Sequence, residues 1–167
     1  MLEYRYLGEV FSSSVPTDDR YDRKILSVLQ RDGRITNQRL AAQVDLSPAP
    51  CWRRVNRLEK AGVIERYVAL LDRERLGLQV MVYVHVSLTD HHTATLDAFD
   101  AFVARSDNVL ECYSVSGEYD YLVRVVAASV KDIEVFLMEN LLRLPAVRSA
   151  NTSFVLKQKK YTTALPV

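Results

Sequence analysis

Val80, Val82, Val84 and Val86 alternate with Met81, Tyr83, His85 and Ser87, a two-residue period that marks a strand with one face in a core. A helix pattern follows, with Leu96, Phe99, Phe102 and Val103 on one side, and then a strand from about Val109 to Ser116. Gly117-Glu118 turns the chain into a third strand, Tyr119 to Ala127. A second helix carries Ile133, Phe136, Leu137 and Leu141, Pro145 stops it, and a fourth strand covers roughly Val147 to Gln158. Two consecutive β-α-β units form the ferredoxin-like split arrangement, an α+β fold. Its helices cover one sheet face. The other would show Met81, Tyr83 and His85 to water unless something covers it, and so large an apolar face usually marks an interface.

The first half has the helical period instead. Asp19 is placed as an N-cap with Asp22 in the first turn, and Ile25, Leu26 and Leu29 form a stripe that stops at Asp32-Gly33. Thr36 caps a second helix carrying Leu40, Ala41 and Val44. Ser47 caps a third, with Pro48 at its first position, Val55 and Leu58 facing inward and Gly62 at its end. Only Asp45-Leu46 separates the second and third, which is a helix-turn-helix pattern of winged-helix-like type. The expected organisation is therefore a leader over residues 1–16, poorly ordered or a packing arm; a helix-turn-helix domain over 17–63; a linker strand and turn over 64–77; the ferredoxin-like domain over 78–160; and a tail over 161–167.

The net charge is only +1, but it is unevenly spread. Ten lysines and arginines oppose six acids between Thr17 and Gly62, whereas eight oppose ten acids from Leu78 to Val167. Only the first half is suited to a polyanion. The longest apolar runs are far below the ~20 residues a membrane helix needs, and the first residues carry no secretory signal pattern. Cys51 and Cys112 have neither metal-ligand nor disulfide-framework spacing, which suits a cytoplasmic protein that meets no membrane.

Arg53, Arg54, Arg57 and Lys60 recur at spacings of three and four along the third helix, a basic stripe opposite Val55 and Leu58. Such a helix fits a major groove of double-stranded DNA, reading bases near its N-terminus while arginines neutralise phosphates. The segments opening the second helix (Thr36, Asn37, Gln38) and the third (Ser47, Pro48, Ala49, Pro50) are placed to hold phosphates. A solvated basic face is the alternative. Trp52, the only tryptophan, reads either as a residue that stacks near DNA or as one that packs on the first helix, and packing is the expectation. His91-His92 are adjacent and cannot face one site, and His85 lies among apolar neighbours. No catalytic constellation, metal motif or glycine-rich phosphate loop can be assembled, so no catalytic or metal residue is assigned. The hairpin Ser116-Gly117-Glu118-Tyr119-Asp120-Tyr121 reads either as an ordinary turn or as a holder for a small zwitterion, with Asp120 for an ammonium group and amides near Gly117 for a carboxylate.

The stretches "DDRYDRKILSVLQRDGRIT", "LAAQVDLSPAPCWRRVNRLEKAGVIERYVALLD" and "VSGEYDYLVRV" resemble the Lrp/AsnC family, the feast/famine regulators, over about Asp19 to Pro166. The resemblance implies a transcriptional regulator rather than an enzyme. It implies that dimers form through the open sheet face and assemble into tetramers or octamers. It also implies that a free amino acid binds where dimers meet, near Gly117 to Tyr121, with Thr152, Ser153 and Phe154 lining the same pocket. Two departures stand out: Asp18 replaces an apolar residue that would staple the first helix, and the leader is longer than usual. The pairing of "PCW" with the tail "KKYTTALP" resembles a subgroup that includes cysteine-responsive regulators. Cysteine, leucine or another small amino acid is thus the expected effector, with no other cofactor. Two rivals stay open: a small enzyme on the ferredoxin-like half, and an amino-acid-binding assembly domain with a vestigial helix-turn-helix.

Overall fold

The computed structural model describes residues 19–167; the expected leader and the Asp18 position lie outside the described residues. The chain divides into two compact units. One holds the described residues up to Leu70 together with Tyr161–Val167, and the other is Leu71–Lys160. The division falls inside the expected linker rather than at its end, and the tail belongs to the first unit instead of standing apart. Gln30 holds it there: its Nε2 donates to the Leu165 carbonyl at 2.9 Å and its Oε1 accepts from the Leu165 amide at 2.8 Å.

The first unit contains α1 (Arg20–Leu29), α2 (Asn37–Gln43) and α3 (Pro48–Lys60). All three N-caps fall where local chemistry puts them. Asp19 accepts from the Tyr21 amide at 2.9 Å and Thr36 from the Arg39 amide at 3.4 Å. Ser47 has the extended backbone of a cap, with Pro48 as first helical residue, but its hydroxyl makes no capping bond. Ile25, Leu40, Ala41, Val44, Cys51 and Leu58 form the buried core, with Val55 and Ile64 packed around it. The turn between α2 and α3 closes through Asp45 at φ 59°, a left-handed conformation that a short polar side chain tolerates better than most. Its carboxylate meets Lys24 Nζ at 2.7 Å, tying the turn to α1. Residues 65–72 have no regular secondary structure, so the expected linker strand does not form, and residues 73–77 make a turn.

The second unit runs β1 (Val80–Leu88), α4 (Thr93–Arg105), β2 (Val109–Ser114), β3 (Tyr121–Ala127), α5 (Val130–Val135) with a π-helical continuation (Phe136–Leu141), and β4 (Val147–Phe154). The four strands lie in the order β2-β3-β1-β4, every neighbouring pair antiparallel. This is the ferredoxin-like topology expected from the repeat. Val82, Val84 and Val86 are fully buried on one face beneath Phe99, Phe102, Ile133, Phe136 and Leu141. The π-helical stretch was not legible in the hydrophobic pattern. In it the backbone bonds reach back five residues, as from the Leu142 amide to the Leu137 carbonyl, and Asn140 Nδ2 donates to the Val135 carbonyl at 3.2 Å. On the other face Met81 is buried, and Tyr83 and His85 are half-buried, so this side is less open than the alternation suggested.

The helix-turn-helix geometry depends on Asp45 accepting a positive φ. Replacing Asp45 with Ile puts a β-branched side chain in the left-handed region and removes the Lys24 contact. Chemical denaturation of the Asp45→Ile variant is expected to show a loss of about 1–2 kcal/mol, whereas Asp45→Asn keeps most of the stability.

Candidate functional site

The orientation of α3 is set by one buried carboxylate. Asp22, on α1, is fully buried. Its Oδ1 accepts from Arg54 Nη1 at 3.0 Å and its Oδ2 from Arg57 Nη2. Arg54 Nη1 also pairs with Asp19, and its guanidinium lies 5.4 Å from the centre of the Tyr21 ring. The Tyr21 amide and then Arg54 hold the Asp19 carboxyl below its ordinary value, and the two carboxylates raise Arg54. Two of the three arginines expected to touch DNA are therefore turned onto α1. Spacing placed them on a helix face but could not reveal acids brought there from another helix.

Arg57 nevertheless keeps a side chain that is 55% exposed, and α3 exposes further residues beside it. Ala49, Trp52 and Arg53 are exposed, and Asn56 is half-buried one turn further on. These positions share one side of the helix at spacings of three and four. Among the described residues Arg53 and Lys60 make no ion pair. Trp52 is 59% exposed, which overturns the expectation that it packs on the first helix: Cys51 and Leu58 fill that side. Among the other expected residues, Thr36 and Gln38 are exposed at the start of α2, while Asn37 Nδ2 donates to the Pro48 carbonyl at 2.9 Å and fixes the start of α3 against α2. Ser47, Pro48 and Ala49 are exposed and Pro50 is half-buried.

The second candidate site is a loop of residues 115–120, longer than the expected two-residue turn because β2 ends at Ser114 and β3 starts at Tyr121. Gly117, at its tip, has φ 123°, which disfavours any side chain. Ser116, Gly117 and Glu118 are exposed. Asp120 anchors the loop to the end of β1. Its amide donates to the Val86 carbonyl at 2.9 Å, its Oδ2 accepts from the Leu88 amide at 2.8 Å, and its Oδ1 lies 2.7 Å from His91 Nε2. Burial raises the Asp120 carboxyl, but these bonds and the nearby charges of His91 and Arg148 outweigh it and leave it below its ordinary value. Both oxygens expected to meet an ammonium group are thus already bonded, although each keeps a second lone pair.

The strand register divides the remaining expected residues. Tyr121 packs on Phe99 at 4.6 Å, and Thr152 is paired with Val84, so both belong to the helix-covered face. Tyr119 stacks near His85 at 5.0 Å, and Ser153 is paired with Tyr83 on the opposite face, while Phe154 ends β4 opposite Val82. His91 and Arg148 join the loop only through folding, and no spacing in the sequence announced them. No group of His, Cys, Asp or Glu among the described residues is placed to hold a metal. Burial pushes the Cys112 thiol up to about 11, and burial also raises Cys51, so neither is poised as a thiolate.

Two substitutions separate orientation from contact. Asp22→Asn is expected to destabilise the first unit by roughly 2–3 kcal/mol, less than a fully buried pair because Arg57 is half-exposed. Arg53→Ala is expected to leave stability within about 0.5 kcal/mol and to lower the salt slope of DNA binding by about one. Denaturation curves and salt titrations on both variants check the division.

Residues 18–65 match the winged helix-turn-helix DNA-binding family model, and residues 81–165 match the Lrp/AsnC ligand binding domain. The chain is 39% identical over 149 residues to the leucine-responsive regulatory protein of Salmonella typhimurium, covering 89% of this chain and 91% of that one. It is 38% identical over the same length to the Escherichia coli K12 protein of that name. Among solved structures it resembles a Neisseria meningitidis transcriptional regulator in complex with L-Met, with a TM-score of 0.86, 40% identity, and coverage of 89% of this chain and 96% of that one. An AsnC family transcriptional regulator from Agrobacterium tumefaciens gives 0.84 at 39%, with the same coverage. With a DNA-binding helix-turn-helix and a ligand-binding domain both matched, the chain belongs to the Lrp/AsnC family of transcriptional regulators.

Proposed function

We propose that this protein binds specific double-stranded DNA as a homo-oligomer and that a free amino acid, held near the 115–120 loop where subunits meet, changes its DNA affinity. The observation that carries this reading is the exposed side of α3, where Trp52, Arg53 and Arg57 are exposed with Asn56 half-buried among them, while Asp22 and Asp19 hold Arg54 against α1. A helix held in this way suits insertion into a major groove, with the exposed openings of α2 and α3 at Thr36, Gln38 and Ser47 supporting phosphate contacts. The rim of Tyr119, the exposed amides around Gly117 and the carboxylate of Asp120 supply both polarities that a zwitterion needs. Asp120 acts first as the loop's anchor and offers its remaining lone pairs to the ammonium group.

Assembly through the open sheet face covers Tyr83, His85, Leu122 and Tyr113, which share it by register. Two-fold dimers are the commonest closed assemblies and match paired half-sites on DNA; tetramers or octamers follow by joining dimers. The effector is a small amino acid. Methionine is favoured by the ligand of the Neisseria relative, leucine by the name of the Salmonella protein, and cysteine by the subgroup resemblance. A cytoplasmic location fits a DNA regulator, and no helix among the described residues is long and apolar enough to cross a membrane.

Light scattering at micromolar concentration is expected to return at least twice the 19.1 kDa chain mass; a monomer contradicts assembly. Thermal melting against each of the twenty amino acids is expected to show a rise of roughly 5–10 °C for the effector at a hundredfold excess over its Kd. A gel shift on DNA from the protein's own upstream region should respond to the same amino acid. Stabilisation without any shift of DNA would favour the assembly domain with a vestigial helix-turn-helix.

A further inference from the structure

Trp52 is the chain's only tryptophan, and it is 59% exposed in the middle of a basic helix. Trp is highly buried on average, and the first unit's core, built from Ile25, Leu40, Val44, Cys51 and Leu58, is complete without it. Asn56 follows Trp52 by four residues and Ala49 precedes it by three, so the three share one side of α3 with Arg53 beside them. Among the described residues the Asn56 carboxamide has no hydrogen-bond partner. Arg54 is held by both Asp19 and Asp22, and Arg57 is bonded to Asp22 through one nitrogen while its side chain stays 55% exposed.

We propose that Trp52 and Asn56 select A·T base pairs in the major groove, the indole covering the C5-methyl of a thymine and the carboxamide bonding the N6 and N7 of an adenine. The inference rests on the DNA-binding reading above and names what that helix reads. Apolar groups pair with the thymine methyl and Asn with adenine because the groove edge of each base offers that chemistry. Four helical residues span about 6 Å, and stacked bases are about 3.4 Å apart, so the two side chains reach bases no more than about two steps apart. The small Ala49 leaves room for the start of α3 to approach, and Arg53 is left for phosphate.

The full-length protein is used to enrich duplexes from a random pool, and single thymines in the enriched site are then replaced with uracil, which removes only the methyl group. A fixed A·T position is expected at which uracil weakens the wild type about fourfold, the value of one methyl group, and leaves Trp52→Ala unaffected. Asn56→Ala is expected to relax preference at a neighbouring A·T pair by about five- to a hundredfold. The emission of Trp52, the sole indole, should be quenched as the enriched duplex is titrated in. If Trp52→Ala fails to fold, Trp52→Phe serves, with the uracil penalty reduced. Enriched sites with no fixed A·T, or wild-type binding with unchanged emission and no uracil penalty, overturn the inference and leave DNA binding intact. Failure to enrich any duplex overturns the DNA-binding reading and this inference with it.

Discussion

A carboxylate taken out of water must be paired, and Asp22 meets that demand with two guanidinium groups from one helix. Arg54 and Arg57 lie three residues apart, so both reach a single point on α1. That convergence fixes the roll of α3 about its axis, which an apolar contact of similar area would leave free to slip. The gain in orientation matters more here than the gain in stability, since a buried ion pair is weak evidence for stability on its own account. Once the roll is fixed, Ala49, Trp52 and Arg53 are exposed and Asn56 half-buried beside them, and Arg57, one turn after Arg53, keeps an exposed side chain next to the same surface. Asn37 adds a second restraint by bonding the first helical carbonyl of α3, and Asp45 a third by closing the turn.

How much of this was legible depends on whether the determinant is local. The N-cap positions Asp19, Thr36 and Ser47 were readable, because capping is decided within four residues. The order of strands and helices in the second unit was readable because alternation and helical spacing are local periods. The partner of an arginine is not local. Arg53, Arg54 and Arg57 look like one stripe until α1 delivers Asp19 and Asp22, more than thirty residues earlier in sequence, to one side of it. Trp52 was misread for the same reason: composition says that Trp prefers burial, but only packing shows that the inward positions are already filled.

The candidate effector loop makes the same point from the other direction. Tyr119 and Tyr121 are two residues apart and would share a face within one continuous strand. The loop ends between them, so Tyr121 enters the sheet on the Phe99 side while Tyr119 lies by His85. Thr152 and Ser153 are adjacent in a strand and therefore part to opposite faces. A family resemblance carried residue by residue places all four near one ligand; the register of a single chain divides them between the two faces. Residues from both faces could serve one pocket only where the sheet ends or another copy of the chain completes it, and Asp120, anchored at the end of β1, is where the sheet ends.

That anchoring bears on how an amino acid bound there could act at a distance. Effector binding alters DNA affinity only to the extent that it favours one arrangement of the assembly over another. A floppy loop would spend much of the ligand's interaction energy on its own ordering. Here the Asp120 amide and both carboxylate oxygens are bonded within the chain itself, so the loop is already ordered for the ligand proposed above. The chain also passes between the two units twice, at Leu70-Leu71 and at Lys160-Tyr161, and the returning segment is clamped to α1 by Gln30. α1 is the helix that carries Asp22. The returning segment is therefore held, within the first unit, by the same helix whose Asp22 pairs with Arg54 and Arg57.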